Sequence, residues 1–335
     1  MNEIRIVAEI GCNHNGDIEI AKKLLDKAKE AGADYAKFQL FKTELLVSPS
    51  AAMADYQKEN VEAASQFEML KKLELSKDEY KLVKDYAQNI GIKAFATAFD
   101  IESANYLASI GQNIWKIPSG EITNLPLLEN ISQLKCEGKE IILSTGMSSI
   151  DEIKAAVKIL ETSRHTKFTI LQCNTQYPTL DDDMNLRVIN TFKEMFPKWE
   201  VGLSDHSVGT VAAITSVGMG ISFIEKHFTL DKTMDGPDHK ASIEPDELKQ
   251  LCMDVRRAKC MLGTADKYVT YSETGNKAAA RKSIVASKKI KKGELFSVDN
   301  LTCKRPGTGI SPMRWHDIIG TTAKRDFETN EMIEE

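Results

Sequence analysis

No stretch of the 335-residue chain runs apolar for the ~18 residues that a bilayer-spanning helix needs, which excludes a helical membrane-spanning protein. The opening residues, Met1-Asn2-Glu3-Ile4-Arg5-Ile6-Val7, have neither the basic start nor the long apolar stretch of a secretory signal. The six cysteines, Cys12, Cys136, Cys173, Cys252, Cys260 and Cys303, are scattered and form no C-x-x-C pair. That excludes a disulfide framework, and reduced thiols in the cytoplasm are the expectation. An excess of one charge is lacking as well: 44 basic against 49 acidic residues give a net charge of -5, with no basic patch for nucleic acid or a membrane surface. No G-x-G-x-x-G follows the first strand-like run, which removes the dinucleotide-binding version of an open α/β sheet.

What is present is an ordinary globular composition, 42% hydrophobic and 28% charged. The length suits a large enzyme domain of ~250 residues plus a small module. Eight short β-rich runs, at residues 5–9, 35–39, 93–99, 114–119, 140–145, 168–173, 201–206 and 223–228, alternate with helical patterns. In Ile18–Ala31 the residues Ile20, Leu24, Leu25 and Ala28 recur at helical spacing, and in 149–161 so do Ile153, Ala156, Val157 and Leu160. Ser149 followed by Glu152 reads as a capping box, and Gly32 and Gly91 as helix exits. Strands separated by single helices need crossovers and hence a parallel sheet, and eight such units close a (β/α)8 barrel. The stretch 43–76 is longer than one helix needs and predicts an extended loop or lid after the second strand. The expected organisation is a TIM-barrel domain over 1–263, a polar linker over 264–280 and a small β-rich domain over 281–335.

In a barrel the loops at the strand ends converge on one mouth, and the chain places its polar residues there repeatedly. Glu9 closes the first strand, Lys37 and Gln39 the second, Thr97 the third, Lys116, Ser119 and Glu121 the fourth. Ser144 closes the fifth, Asn174 with Tyr177 the sixth, Ser204-Asp205-His206 the seventh and Glu225-Lys226-His227 the eighth. Lys37 and Lys116 interrupt strands that otherwise read as core, and a buried ammonium needs an anionic partner. With Ser119, Ser144 and Ser204 they point to a site for phosphate and carboxylate. His206 and His227 end neighbouring strands, a placement that suits one divalent metal with positions left open. Glu9, Glu121 and Asp238 are candidate acids, bases or hydroxyl binders. Asp181-Asp182-Asp183 reads as a solvated loop, and His165, His239 and His316 as structural or surface residues.

Several motifs are more specific: Ile6-Val7-Ala8-Glu9-Ile10-Gly11-Cys12-Asn13-His14-Asn15-Gly16, Lys37-Phe38-Gln39, Lys116-Ile117-Pro118-Ser119-Gly120-Glu121 and Leu143-Ser144-Thr145-Gly146-Met147. To these are added Gly202-Leu203-Ser204-Asp205-His206, Glu225-Lys226-His227-Phe228-Thr229-Leu230-Asp231 and Gly236-Pro237-Asp238-His239-Lys240-Ala241-Ser242. In this order they resemble the sialic acid synthase family. The tail, with Lys291-Lys292-Gly293-Glu294 and Lys304-Arg305-Pro306-Gly307, resembles that family's antifreeze-like (SAF) module.

The resemblance implies a divalent metal, typically Mn2+ with Mg2+ or Co2+ as alternatives, held by His206 and His227. It implies a domain-swapped homodimer in which each tail module caps the partner's barrel. Lys37, Thr97, Lys116, Ser119, Ser144 and Ser204 would surround phosphoenolpyruvate, while Glu9, Gln39, Tyr177 and Asp238 face the sugar. Glu121 would lie close to the reacting carbons, and Arg305 would reach the acyl-sugar site of the other subunit. Gln172 and Ala98 depart from the family pattern without touching its chemistry, whereas the stretch 60–65 leaves a sugar-binding asparagine unplaced. The expected reaction condenses phosphoenolpyruvate with N-acetylmannosamine to give N-acetylneuraminic acid. The alternative acceptor is 2,4-diacetamido-2,4,6-trideoxymannose, giving N,N'-diacetyllegionaminic acid. Two remoter readings are a synthase acting on a sugar phosphate, which needs a second basic cluster, and a non-catalytic carbohydrate binder, which leaves the lysines and histidines at the mouth without a role.

Overall fold

Side chains alternate across a strand, so a barrel strand can give its lower inward position to the core and its upper one to chemistry. The computed structural model describes residues 3–61 and 63–335; Met1, Asn2 and Glu62 lie outside it, the last within the stretch 60–65. The strands are β1 (Arg5–Gly11), β2 (Tyr35–Leu40), β3 (Lys93–Ala98), β4 (Ile114–Ile117), β5 (Glu140–Ser144), β6 (Lys167–Cys173), β7 (Glu200–Asp205) and β8 (Phe223–His227). All pair in parallel in the order β3-β2-β1-β8-β7-β6-β5-β4, and β3 lies against β4, so the sheet is a nearly closed TIM-like barrel. The expected barrel is what the chain forms.

Inside, Val7, Tyr35, Phe95, Ile114, Ile142, Leu171 and Phe223 make an apolar plug, one residue from each strand except β7. The β7 position is Gly202, where an added Cβ would lie 2.6 Å from both Leu171 Cδ2 and the Phe223 carbonyl oxygen. Its missing side chain leaves the room those two fill. Two residues further along the eight strands stand Glu9, Lys37, Thr97, Lys116, Ser144, Cys173, Ser204 and Glu225, all lining one cavity. The interior therefore changes from apolar to ionisable in a single step of two residues.

Between barrel and helices lies the main core, including Ile6, Ile10, Leu24, Leu25, Val83, Leu107, Ile153 and Leu248. Helix ends follow the local signals. Gly32 and Gly91 adopt φ of 87° and 79°, and Ser149 and Glu152 cap each other's backbone N–H. The stretch 43–76 departs from expectation: in place of an extended loop it holds three short helices, Thr43–Leu46, Asp55–Asn60 and Gln66–Leu73. These are too short to show a helical period. They fold because Ser65 caps Glu68 N–H and because Met69 and Leu73 pack with Cys12 and Phe41 into a small core beside the mouth.

The chain divides into two compact units, one ending at Gly263 after the helix Pro245–Leu262, the other Thr264–Glu335. Residues 264–280 are exposed throughout, yet end in a helix, Thr274–Ala280, that buries nothing and so left no apolar pattern in the sequence. Beyond it, β9 (Ser283–Ala286) pairs antiparallel with β10 (Leu301–Lys304). A separate core of Ile284, Ala286, Ile290, Phe296, Leu301, Ile318, Ala323, Phe327 and Ile333 holds this unit together. No helix among the described residues is long and apolar enough to cross a membrane.

Candidate active site

At the bottom of the mouth four charges interlock. Lys37 Nζ lies 2.7 Å from Glu9 Oε2 and 3.7 Å from Glu225 Oε2, and it donates to Thr97 Oγ1 at 3.2 Å. Lys116 Nζ donates to Glu225 Oε1 at 3.1 Å, and Ser204 Oγ donates to the same oxygen at 3.2 Å. All four charged side chains are buried, where an unpaired charge costs several kcal/mol and pairing is obligatory. Burial works to raise the Glu225 carboxyl, but Lys116 and Lys37 overcome it and hold it at about 2. Glu9 moves the other way, because burial outweighs Lys37. Lys37 is raised against its own burial by Glu225 and Glu9, whereas burial lowers Lys116 despite Glu225. Two fixed ammonium groups at the bottom of a cavity of about 470 Å³ suit a small polyanion. Ser144 Oγ is buried there without a hydrogen-bond partner among the described residues, and Ser119 Oγ accepts from Gly146 N–H at 2.9 Å.

One layer higher, the ring centroids of His206 and His227 lie 5.2 Å apart at 68°. Tyr177 packs against His206 with ring centroids 4.2 Å apart and the planes tilted by 32°, and meets His227 edge-on at 5.5 Å. His206 Nδ1 lies 2.5 Å from the Asn174 carbonyl oxygen, which can only accept, so Nδ1 carries a proton; burial works to lower this imidazole, but Cys173 and the Asn174 carbonyl raise it. Burial, then His206 and Lys37, push His227 well below the usual imidazole range, which keeps it neutral. Its Nδ1 is buried with no hydrogen bond among the described residues, 3.5 Å from Asp238 Oδ2. Two imidazoles and a carboxylate are a donor set that fits a divalent transition ion. Among the described residues no group of three or more His, Cys, Asp or Glu is arranged to hold one, so these three side chains do not stand as a formed three-ligand set.

Asp238 is raised to about 6 by burial and by Glu9. Its loop is tied down from below: Ser242 Oγ donates to the Asp238 carbonyl at 2.7 Å and accepts from Asn13 Nδ2 at 2.8 Å. Asn60 Nδ2 donates to the Pro237 carbonyl at 3.1 Å. His239 is buried against Thr229 Oγ1 at 2.6 Å, the structural role expected of it. Gln39 Nε2 donates to Glu9 Oε1 at 3.1 Å, so Glu9 joins the lysine cradle to the upper layer.

Twelve of the fourteen residues singled out from sequence line this one cavity. Glu121 does not: it sits in the 3-10 turn after β4 and accepts from Asn124 Nδ2 at 2.6 Å, its carboxyl raised by burial. Arg305 lies in the second unit and is exposed. Sequence reasoning placed Glu225 at the end of the eighth strand but gave it no role, whereas it holds the two lysines together; it missed Cys173, whose Sγ lies 3.9 Å from His206 Nδ1. The alternation of β8 was the available signal, since a residue two before an inward His227 must also point inward.

Residues 24–267 match the NeuB family and residues 281–335 match the SAF domain. The chain is 45% identical to N,N'-diacetyllegionaminic acid synthase of Campylobacter jejuni, with 100% of both chains covered. It is 41% identical to the synthase of the same name from Legionella pneumophila, covering 94% of this chain and 89% of that one. Among solved structures it resembles the N-acetylneuraminic acid (sialic acid) synthetase of Leptospira borgpetersenii in complex with citrate. That match has a TM-score of 0.73 and 35% identity, over 82% of this chain and 90% of the other.

Proposed function

The chain belongs to the NeuB family and is a phosphoenolpyruvate-dependent condensing enzyme, and on that premise we propose that its acceptor is 2,4-diacetamido-2,4,6-trideoxymannose and its product N,N'-diacetyllegionaminic acid. The observation that carries the choice is 45% identity over the whole length of one synthase of that product and 41% over most of a second, against 35% to the N-acetylneuraminic acid synthetase. The second of the two acceptors considered from sequence is therefore the favoured one. The cavity wall supports it: Met69, Leu70, Leu73 and Phe99 give an apolar surface suited to the methyl group of a 6-deoxy sugar. Among the described lining residues Lys37 and Lys116 are the only Lys or Arg, which leaves no second cationic cluster for a phosphorylated acceptor.

In this reading Lys37 and Lys116 hold the phosphate and carboxylate of phosphoenolpyruvate, with Ser144 and Ser119 as further donors. Carbon 3 of the donor attacks the aldehyde carbon of the open-chain sugar, forming the new C–C bond. Glu9 and Gln39 face the oxygen that becomes a hydroxyl, and Glu9, whose carboxyl burial raises against the pull of Lys37, is the group placed to manage the proton that oxygen gains. Glu225 lies in the layer where positive charge develops at carbon 2, the place sequence reasoning gave to Glu121. Water adds at carbon 2, and the C–O bond to phosphate breaks. A divalent cation on His206 and His227, Mn2+ for preference, would supply Lewis-acid polarisation of the acceptor.

The test compares phosphate release with the two unphosphorylated acceptors and with N-acetylmannosamine 6-phosphate. The expected result is a kcat/KM for the diacetamido sugar at least ~10-fold above either other, the discrimination a few displaced contacts supply. A preference for N-acetylmannosamine overturns the choice of acceptor.

A further inference from the structure

The residues next to the two histidines point the other way. Asp205 and Lys226 precede His206 and His227, are paired in register across β7 and β8, and alternate to the outer face of the sheet. Both side chains are fully inaccessible, with Lys226 Nζ 2.9 Å from Asp205 Oδ2. The same ammonium donates to the Ser207 carbonyl at 2.8 Å, and Asp205 Oδ1 accepts from Ser207 N–H at 2.9 Å and Ser207 Oγ at 2.7 Å. Every bond of this cluster thus lands within one residue of a histidine. His206 has its backbone bracketed by Asp205 and Ser207, and His227 follows Lys226 directly.

Stability alone does not account for such a pair. A dry ion pair loses in desolvation much of what it gains by attraction, and apolar replacements of similar volume are often neutral or stabilising. What the pair supplies is directional: it fixes how far apart the ends of β7 and β8 stand and the angle at which the chain leaves His206. His206 in turn accepts Thr179 N–H on its carbonyl at 2.9 Å, in the loop that carries Tyr177.

We propose that Asp205, Lys226 and Ser207 form a clamp on the outer face of the barrel that sets the spacing and aim of the His206 and His227 imidazoles. They are positioning residues for metal binding, and the proposal rests on the reading of the two histidines as the metal's ligands. The test uses the full-length protein stripped of metal and titrated with Mn2+, the free ion being followed by its electron paramagnetic resonance signal. Asp205→Asn combined with Lys226→Met removes both charges while keeping an acceptor for Ser207. Its Mn2+ affinity is expected to fall about 10- to 100-fold, as is usual when the groups that orient metal ligands are lost. Its melting temperature and its binding of phosphoenolpyruvate without metal should stay close to the parent's. Ser207→Ala, which keeps the ion pair, should weaken Mn2+ less but measurably. Parental Mn2+ affinity in the double variant overturns the clamp whatever its melting temperature. Should that variant fail to fold, parental affinity in Ser207→Ala overturns it. His206→Ala separates the clamp from the site it serves: if it too leaves Mn2+ binding intact, the metal reading itself fails.

Discussion

Lys116 and Lys37 share one carboxylate, Glu225, and that sharing decides what each substitution does. In Lys116→Met the carboxylate keeps Lys37, so the fold should survive while the donor loses one of its two cations. Turnover is expected to fall about 100-fold, the scale of losing one preorganised electrostatic contact. Phosphate-release kinetics over a range of phosphoenolpyruvate concentrations would show it, and unchanged kinetics would make Lys116 a structural residue. Asp238 offers a second test. Burial and Glu9 raise its carboxyl from 3.8 to about 6, so the folded chain binds this proton more tightly than the unfolded chain does. The ionised group then costs stability above pH 6, and the cost fades as pH falls through 6 toward 4. Asp238→Asn should therefore stabilise the metal-free protein at pH 7.5, by at most about 3 kcal/mol, since each tenfold gain in proton affinity is worth about 1.4 kcal/mol. Urea midpoints across pH would record the gain shrinking toward acid; a gain independent of pH would contradict the assignment.

At the level of elements, His206 follows β7 directly and His227 closes β8, and Gly202 decides how closely the two strands approach. A methyl group there meets the Phe223 backbone and the Leu171 side chain at 2.6 Å, and backbone cannot rotate away. Gly202→Ala should cost about 1–3 kcal/mol, as overpacking typically does. It should also weaken Mn2+ binding, because the strain lies directly below Ser204 and Glu225. Denaturant midpoints and metal titration on one sample check both; a parental denaturant midpoint would mean that the barrel repacks freely around the plug.

For the whole molecule, each unit has a core of its own, and Arg305 stands exposed in the second. We propose that Arg305 serves the barrel of a second copy, where its planar fork of donors suits an acyl carbonyl. Arg305→Ala should then impair use of the acylated sugar far more than binding of phosphoenolpyruvate. The sharper experiment mixes Arg305→Ala with His206→Ala protein under conditions of subunit exchange. A heterodimer would hold one barrel with both defects and one with neither, so activity should return from two nearly inactive parents. With heterodimers shown to form, absence of recovery would rule out a contribution in trans.

The barrel, its eight strands and most of the mouth were legible in the sequence, because period-two alternation, helix caps and strand-end polarity are local signals that tertiary structure has no reason to override. Lys37 and Lys116 stood out because an ammonium in an apolar strand needs a partner somewhere. Which partner was not legible. Glu225 looked like one carboxylate among many until closure of the sheet brought β2, β4 and β8 around a common centre, and Glu121 was given its role because it ends one of the motifs that carry the resemblance. The three short helices over 43–76 were hidden for a related reason, since a turn or two of helix has no period and is held by contacts made elsewhere. The sequence by itself determined which residues point inward and in which layer. Only the tertiary structure decided which of them meet, because distance across a barrel depends on closure and register rather than on separation along the chain.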